Sequence, residues 1–163
     1  MPNRSSIGAT LSPQRSALFY WLPPLIWMSV IFGFSTDTFS GENTGSLLYT
    51  ILHYFWPSLT PEQFQPLHFL VRKASHFTEY GILALLLFRA FRGNSRDRWR
   101  WSWALWTWLL VALYALSDEW HQSFSANRTA SLYDSLIDTL GGTTALLVWW
   151  WFTRRKQTRS VAG

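Results

Sequence analysis

The sequence predicts an all-α polytopic membrane protein: four transmembrane helices plus a short interfacial helix in the first outer loop. Three observations carry this. Only 14% of the 163 residues are charged, against about 25% in an ordinary soluble protein. The chain also holds 12 Trp and 12 Phe, residues suited to a lipid-facing surface and its interfaces. Finally, the Arg residues stand in short clusters at the ends of apolar runs rather than along one solvated face. The formal charge of +5 therefore reads as membrane topology, and nucleic acid is not an expected partner. The absence of Cys excludes a disulfide framework, thiolate metal sites and a cysteine nucleophile.

The first span is residues 17–35, free of charge over 19 residues and close to the roughly 20 that cross a bilayer core. Pro23 and Pro24 predict a kink that neighbouring helices can accommodate. No small-x-small cleavage site follows, so the segment reads as a retained anchor rather than a signal peptide. The other apolar runs, 81–88, 102–117 and 139–152, are each too short alone. Each must borrow its polar flank, giving spans near 70–91, 102–124 and 131–152. Length alone thus draws ionisable side chains into the membrane.

Between the first two spans, residues 36–46 read as a turn-rich loop. After it Leu47, Leu48, Ile51, Leu52 and Phe55 recur at helical spacing, which suits a short helix lying in the outer interface or packed on the bundle. Thr60-Pro61-Glu62-Gln63 predicts a capping box with Pro at the first helical position, and Pro66 is expected to break the helix that follows. Most Arg and Lys fall on one face if there are four spans: Arg4, Arg15, Arg89 to Arg100, and Arg154 to Arg159. The positive-inside rule makes that face cytoplasmic and puts both termini there. Trp99, Trp101, Trp103, Trp149, Trp150 and Trp151 then form an inner aromatic belt. A single domain covers 1–163, with tails at 1–16 and 153–163.

Each later span carries a polar face. Steps of 100° per residue bring Arg72, His76, Glu79 and Leu83 within about 60° of one another, flanked by Lys73 and Tyr80. Tyr114, Asp118, Gln122 and Ser125 share a stripe bordered by His121, with Glu119 pointing further round. Asp134, Asp138, Gly141 and Ala145 align on the last span. At about 1.5 Å rise per residue, Glu79, Asp118 and Asp138 lie on the order of 10 Å below the outer end of their spans, deep enough to meet in one pocket between the last three spans. Charge in a bilayer is expensive and usually faces the bundle interior, marking a site. The alternative is a self-compensating polar network. It would have to balance three cations, Arg72, Lys73 and Arg128, against five carboxylates.

At RKASHFTEY (72–80), SDEWHQSFSANRTASLYD (117–134) and IDTLGG (137–142), the sequence resembles the VanZ-like family of bacterial integral membrane proteins. The resemblance runs from about residue 31 to 148, and its DE-x-HQ block with the Asp-x-x-x-Asp helix is its most specific part. It departs at Phe34-Ser35-Thr36-Asp37, where a Ser-Ser-Gln-like turn is the family's pattern. The resemblance implies a multi-pass protein of the bacterial cytoplasmic membrane, in a family named from a member linked to glycopeptide (teicoplanin) resistance. It maps site residues onto Arg72, Lys73, His76, Glu79, Tyr80, Asp118, Glu119, His121, Gln122, Arg128, Asp134, Asp138 and Gly141.

Three functions remain open. The first is binding or processing of an anionic cell-envelope or lipid-linked substrate, as a membrane-embedded hydrolase or transferase. Here Arg72, Lys73, Tyr80, Gln122 and Arg128 would bind substrate, and His76, Glu79, Asp118 and His121 would supply acid–base chemistry. Asp134, Asp138 and Glu119 would hold a divalent metal, with Mg²⁺, Mn²⁺ and Zn²⁺ all compatible. The second is an ion- or proton-coupled transporter, disfavoured because the inner halves offer no ionisable stepping stones. The third is a non-catalytic partner protein docking through residues 47–56. Membrane lipids are partners in every case, and the sequence does not fix an oligomeric state.

Overall fold

The computed structural model describes residues 13–36, 41–124 and 131–161. Among these residues there are five helices and no strand: α1 (Pro13–Phe34), α2 (Gly41–Phe55), α3 (Pro61–Arg92), α4 (Trp101–Gln122) and α5 (Leu132–Val161). The four expected spans fall on α1, α3, α4 and α5, and the expected interfacial helix on α2.

Three boundaries differ from the sequence expectation. Helix α2 starts at Gly41, inside the segment read as a loop, because its first turns are small and polar and such residues serve turns and helix starts alike. Helix α3 starts at Pro61 and runs through Pro66 without a break. The Thr60 hydroxyl accepts from the Gln63 N–H, and the Gln63 side chain accepts from the Thr60 N–H. Pro66 removes one bond to the carbonyl of Glu62, which is exposed near the helix start, so the loss does not end the helix. Helix α5 continues to Val161, past the expected limit at 152, because Arg, Lys and Gln are good helix formers and no Gly or Pro intervenes. Helix α1 likewise passes through Pro23 and Pro24.

Helix α3 is central, packing on α5, α1 and α4. Glycines bring α5 close to its neighbours: a Cβ on Gly141 would lie 2.1 Å from the carbonyl oxygen of Phe77 on α3, and one on Gly142 would lie 2.8 Å from Val111 on α4. Ile31, Leu83, Ala84, Leu87, Phe88, Val111, Ala115 and Leu146 form the buried core, with Trp21, Trp27, Trp99 and Trp103 against it.

Hydrogen bonds fix which helix ends lie together. At one end the Tyr20 hydroxyl donates to the Asn94 side chain (2.6 Å), Trp101 meets Trp150, and Arg154 and Arg155 lie over Trp150 and Trp151. Towards the other end Tyr114 donates to the Met28 carbonyl (2.6 Å) and Ser135 to the Ala115 carbonyl (3.3 Å). Helices α1, α3, α4 and α5 therefore alternate in direction, and the Arg-rich segments and Trp cluster share one end. The exterior is apolar, with Leu22, Leu70, Leu113, Leu136 and Leu147 all more than half exposed. By length and composition one described helix can cross a membrane, over Ala17–Phe34 with mean hydropathy 1.6.

Candidate functional site

The end of the bundle opposite the Arg cluster holds the ionisable side chains. They form ordered contacts rather than one common pocket. Lys73 donates to Asp134, tying α3 to α5. One turn deeper, Nδ1 of His76 stands 3.3 Å from Oδ1 of Asp138, which is fully buried. Asp134 and Asp138 sit at i and i+4, as do the facing residues within one step, so each carboxylate meets its own basic partner from α3.

Helix α4 supplies two further buried carboxylates. Asp118 accepts from the Ser35 hydroxyl (2.8 Å) and from the Gln122 amide (3.0 Å), which links α4 to the end of α1. Glu119, expected further round the helix from the Asp118 stripe, is buried and accepts the Ser131 N–H (2.7 Å). Its carboxylate thus serves the start of α5, where a negative group meets free backbone donors. The second oxygens of Asp118 and Glu119, the Tyr80 hydroxyl, His76 Nδ1 and both Asp138 oxygens are buried without a hydrogen bond among the described residues, so His76 and Asp138 meet by charge rather than by an aligned bond. Tyr80 lies in electrostatic reach of Asp118 and Asp138 and faces the Tyr114 ring at 6.1 Å, so this inner layer is densely polar.

A cavity of about 260 Å³ lies beside this layer, between the end of α1, α2 and α3. Helix α3 gives it His68, Arg72, Ser75, His76 and Glu79, which share one face; α1 gives it Phe34 and Ser35, and α2 Thr44 and Leu48. The sequence predicts the pocket between α3, α4 and α5; this cavity lies on the other flank of α3, where the lightly packed α2 leaves room. Of the expected residues the structure brings Arg72, His76 and Glu79 to the cavity. Asp138 stands behind His76, while Asp118 and Gln122 stand behind Ser35. His121 lies away from it, its ring 4.5 Å from Phe32. Lys73, Tyr80, Glu119 and Asp134 serve the helix contacts, and Arg128 lies outside the described residues.

The expected divalent metal does not fit this donor set. Among the described residues no three His, Asp or Glu side chains gather to hold one. Asp134 faces Lys73, Asp138 faces His76, and Glu119 caps α5.

Sequence reasoning missed Ser35, Thr44, His68 and Ser75. A signal exists for two of them: His68 and Ser75 continue the helical spacing of Arg72 and Glu79, ahead of and within the span placed at 70–91, on a helix that Pro66 does not interrupt. Gly45 allows α2 to settle on this stripe, since a Cβ there would meet the His68 ring at 3.1 Å.

Chemically, the cavity combines a cation with an oriented imidazole. Arg72 has no hydrogen bond or ion pair with any described residue and lies in electrostatic reach of His76. With Nδ1 turned to Asp138, the other ring nitrogen of His76 is left for the cavity. Nδ1 is in ionic rather than hydrogen-bonding contact with Asp138, close enough for the carboxylate to attract a proton to that nitrogen while Nε2 exchanges one with the cavity. The family model VanZ/LLP1 matches residues 20–153, which include α1 from its third turn, all of the cavity lining and the polar layer. The chain belongs to the VanZ/LLP1 family. That family is generally membrane-associated, in keeping with the apolar α1. No curated protein and no solved structure matches the chain.

Proposed function

We propose that this VanZ-like protein binds, and through His76 processes, an anionic cell-envelope or lipid-linked molecule in the cavity between α1, α2 and α3. It would cross the cytoplasmic membrane four times with both termini cytoplasmic. The observation that carries the reading is the pairing of Arg72 with an Asp-backed His76 on one wall of the cavity. Arg presents planar paired donors that match phosphate or carboxylate. Lys73, one residue on, is occupied by Asp134, so Arg72 carries the anion contact. The apolar exterior of all four long helices supports the multi-pass reading, because in lipid the apolar side chains turn outward and the polar ones inward.

The test separates site from scaffold. His76→Gln, Asp138→Asn and Arg72→Gln should abolish the function in cells while the protein still accumulates in the membrane. Teicoplanin susceptibility of a sensitive bacterium expressing the chain checks whether the family's resistance link extends to it. If the three variants instead fail to accumulate, the polar layer is a structural network and the reading falls.

A further inference from the structure

The distribution of polarity in the cavity narrows the substrate class; the step rests on the reading of the cavity as an anion site. Its titratable side chains, His68, Arg72, His76 and Glu79, are all half-buried. The lining residues that are exposed are Phe34, Val71, Thr44 and Ser75. Among the described residues the rim thus bears two apolar side chains and two hydroxyls, and no charge. A site that draws a water-soluble anion gains rate and occupancy from charge at its mouth; this one places its charge at the base.

The surface around the mouth is more apolar still. Phe34 and Val71 are each 42% exposed, and Phe69 and Leu70, just before Val71 on α3, are 59% and 64% exposed. Helix α2 continues the surface with exposed Leu47 and Ile51. We infer that the ligand is an anionic amphiphile, a phosphate or carboxylate on a long apolar chain. It enters sideways from the bilayer with its head group at Arg72 and His76 and its chain leaving between α1 and α3 over Phe34 and Val71. Measured from water, each methylene of the chain adds about 0.8 kcal/mol, or about fourfold in apparent affinity, a gain the bilayer shares with the exit.

The experiment uses the full chain in lipid nanodiscs, with empty discs measuring the background partitioning of each probe. The probes are inorganic phosphate and monoalkyl phosphates of increasing chain length. Wild type should bind the alkyl phosphates above background, at least a hundredfold more tightly than inorganic phosphate. Arg72→Gln should weaken all probes tenfold or more. Val71→Trp, or Phe34→Trp if that variant does not fold, should weaken only the alkyl phosphates. If inorganic phosphate binds as tightly as the alkyl phosphates and the rim variants change neither, the amphiphile inference is overturned while the anion site stands. If folded wild type binds no phosphate probe above background, the anion site itself is refuted and the inference with it.

Discussion

Gly141 sits where α5 touches the backbone of α3, and the 2.1 Å approach of its virtual Cβ to the Phe77 carbonyl leaves no side chain to move aside. Gly141→Ala must push the two helices apart and should cost about 1–3 kcal/mol, read as a lower melting temperature in detergent. Gly33 has nothing within 4 Å of such a Cβ, so Gly33→Ala should melt at or above the wild-type temperature. The Lys73–Asp134 pair makes a second case. Both side chains are largely buried, and removing one leaves the other charge unpaired. Lys73→Met alone should destabilise by about 3 kcal/mol, whereas Lys73→Met with Asp134→Leu should recover most of the loss; thermal melts of both variants check this. These roles were only partly legible. Spacing placed His76, Glu79 and Asp138 on inward faces correctly, since one helix dictates its own faces. Whether Asp134 would meet a metal, a substrate or Lys73 depends on a second helix whose rotation no single-helix pattern contains.

The start of α3 decides how far the helix projects beyond its apolar stretch, and so whether His68 can face the cavity. The cap at Thr60 holds it. Hydrogen bonds from the backbone at Glu62, and then from Thr60, keep the Glu62 carboxyl below its ordinary range. A carboxyl depressed in the folded state supports folding above its unfolded value and loses that support as pH falls through the folded value. Thr60→Val should therefore raise the Glu62 value towards that of a free carboxylate, followed by NMR titration. It should also lower helix stability by about 1 kcal/mol. At this scale the capping box was readable from four residues because it is local chemistry. Pro66 was misread because a proline's cost depends on whether the carbonyl it orphans has another partner. Helix α2 was half read: its apolar residues from Leu47 onward declare a period, and its polar first turns do not.

At the scale of the molecule, the alternating helices and inside-out polarity are the strongest clue to environment. The apolar runs on α3, α4 and α5 are individually short, which is why, among the described residues, hydropathy alone selects Ala17–Phe34 and no other helix. The structure shows what the short runs conceal: the borrowed polar flanks are turned inward, where Lys73 meets Asp134 and Ser35 meets Asp118, while Leu, Phe and Trp cover the outside. Four-span topology predicts opposite sides for the α2–α3 and α3–α4 connections. The chain has no Cys, so a single introduced thiol reports without background. Ser58→Cys, between α2 and α3, should react with a membrane-impermeant maleimide on intact bacterial cells stripped of any outer membrane. Ser95→Cys, between α3 and α4 among Arg92, Arg96 and Arg98, should react only after the cytoplasmic membrane is opened. Labelling of both from outside would mean that α3 does not cross, and the cavity would then face water rather than lipid. The reverse pattern would place the Arg-rich end outside, against the charge asymmetry that orients such bundles.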